Sequence, residues 1–172
     1  MNYSTDKVIL MVSAKALDIN GVLDSRFWQW VAKDSGFDVA AEAKDVEWFE
    51  VWQNIESTIL SPKTTYSVSF VLKVNKDIMK SCPTPFEFSL KPNGEKDSQL
   101  SSIYLGDWEK SVGGIKKTDL RNFERGWTEF VLGQFTTNGK GEMEIEVCMK
   151  NTDRSFHKRG ITIDGVQITP ID

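Results

Sequence analysis

Apolar positions in this chain recur mostly at every second residue. In Tyr66-Ser-Val-Ser-Phe-Val-Leu-Lys-Val74, the side chains of Tyr66, Val68, Phe70 and Leu72 fall on one face. A strand with one face in a core has this pattern. Segments 86–90 and 128–132 repeat it. Gly141-Glu-Met-Glu-Ile-Glu-Val-Cys-Met149 sends Met143, Ile145, Val147 and Met149 inward and leaves Glu142, Glu144, Glu146 and Cys148 opposite. With 8–13, 14–19, 47–52 and 161–169, these make about eight or nine short strands at regular spacing, which predicts an all-β antiparallel sandwich. Ser61-Pro62, Pro83-Thr-Pro85, Pro92-Asn-Gly94, Gly113-Gly114, Asn138-Gly139 and Asp164-Gly165 are the turn signals between them. The Ala-rich stretch 38–44 is the one expected helix, of one or two turns. Segment 91–125 is weakly patterned; its seven basic and six acidic residues nearly cancel, and it reads as long solvated loops.

At 172 residues the chain has the size of one domain, with 1–7 as a flexible tail. Hydrophobic residues at 40% and charged residues at 27% allow a substantial core and argue against a disordered chain. A net charge of -4 argues against a globally basic nucleic-acid binder. No apolar run is long enough for a membrane-spanning helix. The polar start lacks the flanks of a secretory signal, so the sequon Asn2-Tyr3-Ser4 is expected to stay unused. Cys82 and Cys148 read as reduced thiols of a cytosolic protein or as one disulfide; the missing signal favours the first.

Six Trp stand against one His, an inventory that suits binding by flat aromatic faces better than chemistry. No P-loop, dinucleotide fingerprint or nucleophile elbow occurs, and no cofactor or metal is expected. His157 lies in the basic run Arg154-Ser-Phe-His-Lys-Arg159 with no carboxylate nearby in sequence to orient it. It reads as a surface or ligand-contacting residue and not as a general base. Glu142, Glu144 and Glu146 form either a solvated face or a row of acceptors for sugar hydroxyls. They lack the asymmetry of environment that an acid/base pair needs. In Arg26-Phe-Trp-Gln-Trp30, an extended backbone puts Trp28 and Trp30 on one face. Such a platform would stack on the apolar faces of sugar rings while Arg26 and its neighbours take the hydroxyls. Trp48 and Trp52 alternate with Phe49 and Val51 on a strand apolar on both faces, so they read as core, as does Trp127. Trp108 sits on a loop and stays undecided.

Five pieces in order resemble the phloem protein 2 family, the Nictaba-related plant lectins. Ala14-Lys-Ala-Leu-Asp-Ile19 with Arg26-Phe-Trp28 resembles the opening strand and Arg-aromatic-Trp motif. Phe37 through Val46-Glu-Trp-Phe-Glu-Val51 resembles the short helix and tryptophan strand. Leu60-Ser-Pro-Lys-Thr-Thr-Tyr66 is similar to Leu-Ser-Pro-x-Thr-x-Tyr. Gly126-Trp-Thr-Glu129 with Leu132-Gly-Gln-Phe135, and Lys158-Arg-Gly-Ile161 with Asp164-Gly-Val166 and Pro170, resemble the remaining signatures. The resemblance implies a jelly-roll-like sandwich that binds N-acetylglucosamine oligomers, including chito-oligosaccharides and N-glycan cores. It also implies a nucleocytoplasmic or phloem-sap protein, often a homodimer, here of the stand-alone cucurbit type with no F-box ahead of it. The family's sugar-binding Trp falls on Trp28. Gly21 stands where a second is expected, and Trp30 is placed to take over. Of the family's two glutamates one matches Glu142 and the other falls near Met149; His157 replaces the Trp before the final motif.

These readings name Trp28, Trp30, Arg26, Glu142, Glu146, His157 and Lys158 as carbohydrate contacts of a non-catalytic lectin. The alternative is an RNA or ribonucleoprotein carrier using Lys150, Arg154, Lys158 and Arg159 on phosphates. A glycan-processing enzyme is the weakest option, for want of an acid/base pair.

Overall fold

The computed structural model describes residues 7–32, 39–92, 99–107, 112–113, 120–122, 126–139 and 143–171. The described strands are β1 (Leu10–Ser13), β2 (Asp18–Ile19), β3 (Trp28–Ala32), β4 (Val39–Ala43), β5 (Phe49–Glu56), β6 (Thr65–Val74), β7 (Phe86–Pro92), β8 (Gln99–Ile103), β9 (Val112–Gly113), β10 (Leu120–Asn122), β11 (Trp127–Thr136), β12 (Glu144–Asn151) and β13 (Ile161–Pro170). A four-residue helix, α1 (Lys76–Met79), follows β6 and is capped by the Asn75 side chain on the Ile78 amide. One sheet runs β10-β11-β6-β13-β4-β3, with β1 also on β13; the other runs β2-β5-β12-β7-β8-β9. Neighbouring strands pair antiparallel, as the alternation predicts. No helix among the described residues is long and apolar enough to cross a membrane.

The inward rows of the two sheets meet in one apolar core. On β12, Ile145, Val147 and Met149 are fully buried while Glu144 and Glu146 face out. Phe88 of β7 stacks on Phe130 of β11 at 5.7 Å and meets Phe70 of β6 edge-on at 6.0 Å, so these rings bridge the sheets. Each ring buried this way stabilises the sandwich by about 1.5–3 kcal/mol.

Four local readings are corrected. The expected helix at 38–44 is β4 where it is described: small Ala43 and Ala41 lie opposite Trp28 and Trp30 on β3, and Ala40, Ala41 and Ala43 are all buried. Packing beside large indoles outweighs the helix preference of alanine. Segment 91–125 is more than loop, since β8, β9 and β10 continue both sheets. Asp164-Gly165 is no turn. It is a bulge within β13, at the point where pairing on one edge passes from β4 to β1. Gly165 has φ of +156°, and a Cβ there would lie 2.1 Å from the Val12 carbonyl oxygen, so β1 docks only against a glycine. Segment 14–19 is a single 3-10 turn, Ala14–Ala16, followed by short β2.

Candidate functional site

Three connections converge beside the start of β5: residues 20–27 ahead of β3, residues 44–48 ahead of β5, and residues 152–158 after β12. Val46 and Lys158 exchange backbone hydrogen bonds of 2.9 and 2.8 Å, and the Asn20 amide donates to the Glu50 carbonyl at 3.0 Å. The Asn20 side chain donates to the Trp48 carbonyl at 3.4 Å. Beneath them Lys158 is wholly buried, and its ammonium donates to the carbonyls of Glu47 and Asp153. Burial lowers its pKa, opposed by the anionic partners around it. Asp153 ties the last connection together, accepting from the Ser155 amide at 2.9 Å and from the Thr84 hydroxyl at 3.1 Å. The Ser155 hydrogen bonds hold its carboxyl below the usual carboxylate range.

These connections enclose a cleft of about 300 Å³, lined by Asn20, Phe27, Asp45, Glu47, Trp48, Arg154 and His157, with Gly21 at its rim. His157 stands between two carboxylates, with Nδ1 2.5 Å from Asp45 Oδ1 and Nε2 3.0 Å from Glu47 Oε1. The Nδ1 contact has the geometry of a hydrogen bond, and the Nε2 contact is an ion-pair distance. The basic-patch reading of His157 is therefore corrected: the fold supplies the carboxylates, from a segment 112 residues away for Asp45. Trp48 is 38% exposed, with the Arg154 guanidinium 5.1 Å from its ring centroid and its Nε1 donating to Glu50 Oε1 at 3.3 Å. The cleft thus offers the aromatic side chains of Trp48 and Phe27 among carboxylate, amide, imidazole and guanidinium groups.

The residues expected to bind are only partly brought together. Trp28 is 2% exposed: its ring packs on Phe49 at 5.4 Å and its Nε1 donates to the Asn20 carbonyl at 3.1 Å. A ring covered in this way cannot stack on a ligand, so Trp28 is a support of the 20–27 connection and not a platform. Lys158 is corrected likewise, from surface contact to internal brace, which also removes it from any phosphate-binding row. Trp30 shares the parity of Trp28 but lies 39% exposed on β3, where that sheet ends among the described residues, with the Lys15 ammonium 5.5 Å from its ring. Arg26 is exposed and forked onto Asp24 at 2.6 Å. Its hydrogen bonds bring the Asp24 carboxyl down to about 2. Glu146 faces outward on β12 between Asn54 and Lys91, on the sheet opposite to Trp30. Glu142 and Trp108 lie outside the described residues.

Trp48 and Trp52 reverse the other half of the expectation, each being 38% exposed and not core. The clue was their shared parity with Glu50 and Asn54, opposite to Phe49, Val51 and Ile55. Trp127, also expected in the core, is partly buried with the Lys73 ammonium 5.0 Å from its ring. Gly21, where the resemblance expects a Trp, has φ of +78°, a left-handed backbone that a tryptophan rarely adopts. Both cysteines are free thiols. No group of three His, Cys, Asp or Glu among the described residues is arranged to hold a metal ion.

Comparison with known proteins agrees with the sequence motifs. The family model for phloem protein 2 matches residues 7–170. F-box protein PP2-A15 of Arabidopsis thaliana is 29% identical over 97% of this chain and 58% of its own length. F-box protein PP2-B10 of the same plant is 30% identical over 97% of this chain and 62% of its own. The chain spans about three fifths of the length of these relatives. Among solved structures, a family 35 carbohydrate-binding module from Clostridium thermocellum is similar in outline, at 12% identity and a TM-score of 0.47, covering 95% of this chain and 99% of that one. With the match running from the first described strand to the last, the chain belongs to the phloem protein 2 family.

Proposed function

We propose that this chain is a carbohydrate-binding lectin that recognises N-acetylglucosamine oligomers without catalysis, and that its site is the cleft at Trp48. The observation that carries the reading is the half-exposed Trp48 indole bordered by Asn20, Asp45, Glu47, His157 and Arg154. A pyranose presents apolar C–H faces and a rim of hydroxyls. An indole takes the face, and paired donors and acceptors at its edge take the hydroxyls and acetamide. The family resemblance supplies the choice of N-acetylglucosamine. Trp30, on the far edge of β3, is a separate aromatic surface; Arg26 serves by holding the 20–27 connection through Asp24. A homodimer, implied by the resemblance, would add avidity on polymeric glycans.

Titration with chitotriose, followed by tryptophan fluorescence and by calorimetry, tests this reading. Binding in the micromolar to millimolar range is expected, with a change in indole emission and little dependence on salt. Trp48→Ala is expected to remove the binding. Unchanged affinity in a folded Trp48→Ala protein would move the site elsewhere, and affinity for RNA that falls steeply with salt would favour the carrier reading.

A further inference from the structure

We propose that the binding surface does not end at the cleft but continues along the outer face of β5 to a second aromatic platform at Trp52, which takes the far rings of a bound oligomer. This inference rests on the lectin reading of the cleft. Residues 50, 52, 54 and 56 of β5 face outward, away from buried Phe49, Val51 and Ile55. Trp48 is turned to the same side, because its indole N–H donates to Glu50 Oε1 at 3.3 Å. Trp48 and Trp52 are four positions apart, at most about 13 Å along an extended chain. That span accommodates a short run of sugar rings between two stacking surfaces, with the Glu50 carboxylate between them to accept hydroxyl hydrogen bonds.

The surroundings of Trp52 suit a neutral sugar. In register beside it stand Asp18 on β2 and Cys148 on β12, with Ser89 beyond on β7. Cys148 and Ser89 are small, so the large ring stands above a low stretch of sheet. The outward positions are mainly acidic, with Asp18, Glu50, Glu87 and Glu146 against Lys91 and Lys150. Carboxylates accept from sugar hydroxyls, whereas an anionic polymer such as RNA would be repelled. The face is continuous with the cleft through Trp48, which borders both.

Chain-length dependence of affinity is the measurement that decides. In the wild type, chitotetraose is expected to bind about tenfold more tightly than chitobiose, as a second stacked ring would give. Trp52→Ala is expected to leave chitobiose affinity unchanged and to abolish the gain. Trp52→Phe, which keeps a smaller ring, is expected to retain part of it. In the wild type, the Trp52 indole NMR signal, assigned through Trp52→Phe, should shift with chitotetraose and not with chitobiose, which serves even if Trp52→Ala fails to fold. A full length-dependent gain in Trp52→Ala, or a Trp52 signal that stays still, would overturn the extended surface while leaving the cleft intact. Loss of chitobiose binding in Trp48→Ala tests the cleft separately. A change in sedimentation of Trp52→Ala with sugar affinity untouched would show instead that this face docks a second copy of the chain.

Discussion

Trp28, at the start of β3, and the pair Trp48 and Trp52, just before and within β5, have opposite fates, while Trp30 is as exposed as that pair. Trp28 and Trp30 flank a polar residue and read as a platform, yet Trp28 is buried between the 20–27 connection and Phe49. Trp48 and Trp52 flank apolar residues and read as core, yet both reach solvent. Parity says which side chains share a face; it does not say which face is inside. On β5 the alternating partners Phe49, Val51 and Ile55 complete an inner row with Ile145, Val147 and Met149 of β12, and that row is this strand's share of the core. The Trp side is surplus to the core and is left outward, where a binding protein can use it.

The sharpest way to break this contrast is to remove each indole in turn. Trp28→Ala is expected to cost about 3–5 kcal/mol, the price of emptying a fully packed site, as read from urea or guanidinium denaturation. Trp48→Ala should change stability by less than about 1 kcal/mol while removing chitotriose binding. If Trp28→Ala kept its stability, or if Trp48→Ala lost as much, the assignment of support to Trp28 and surface to Trp48 would be wrong.

Lys158→Met comes next. It keeps the length of the stem but leaves the Glu47 and Asp153 carbonyls without their charged donor, and about 1.5–3 kcal/mol is the scale of hydrogen bonds to charged groups. Thermal unfolding should show a lowered midpoint. Because the 152–158 connection also carries Arg154 and His157, glycan affinity should weaken too. Full affinity in a destabilised protein would mean that the cleft does not depend on this brace.

The regular strands were legible because their environment is regular. β12 and the later part of β5 each bury one face, and alternation reports that directly; β6 carries the same alternation although both its faces are buried. β4 was not, because alanine is locally a helix former and only the indoles of β3 across the ladder make small residues necessary there. Asp164-Gly165 carries an ordinary turn signal; the Val12 backbone that demands the glycine lies far back along the chain. The site suffers most from this distance. Asp45 and His157 meet across 112 residues, and no spacing rule connects them. What the sequence did carry was the parity of Trp48, Glu50 and Trp52, a signal hidden by Phe49 and Val51 between them.

The smallest expected effect concerns Cys148, which faces out beside Trp52 without being reactive. Burial pushes its thiol up to about 11, with the Glu50 and Glu146 carboxylates adding to the shift. Only the thiolate attacks an alkylating agent, so a pKa near 11 leaves roughly a thousandth of the thiol ionised at pH 8. Iodoacetamide should therefore modify Cys148 slowly at pH 8 and progressively faster as pH rises toward 11, with mass spectrometry locating the adduct. Since Cys148 lies in register with Trp52, saturating chitotetraose should slow that modification further and chitobiose should not. Rapid alkylation at pH 8 would mean that the thiol is neither sheltered nor surrounded by negative charge. Equal rates with the two sugars would leave Trp52 without a ligand over it, and the contrast between the two aromatic strands would then rest on Trp48 alone.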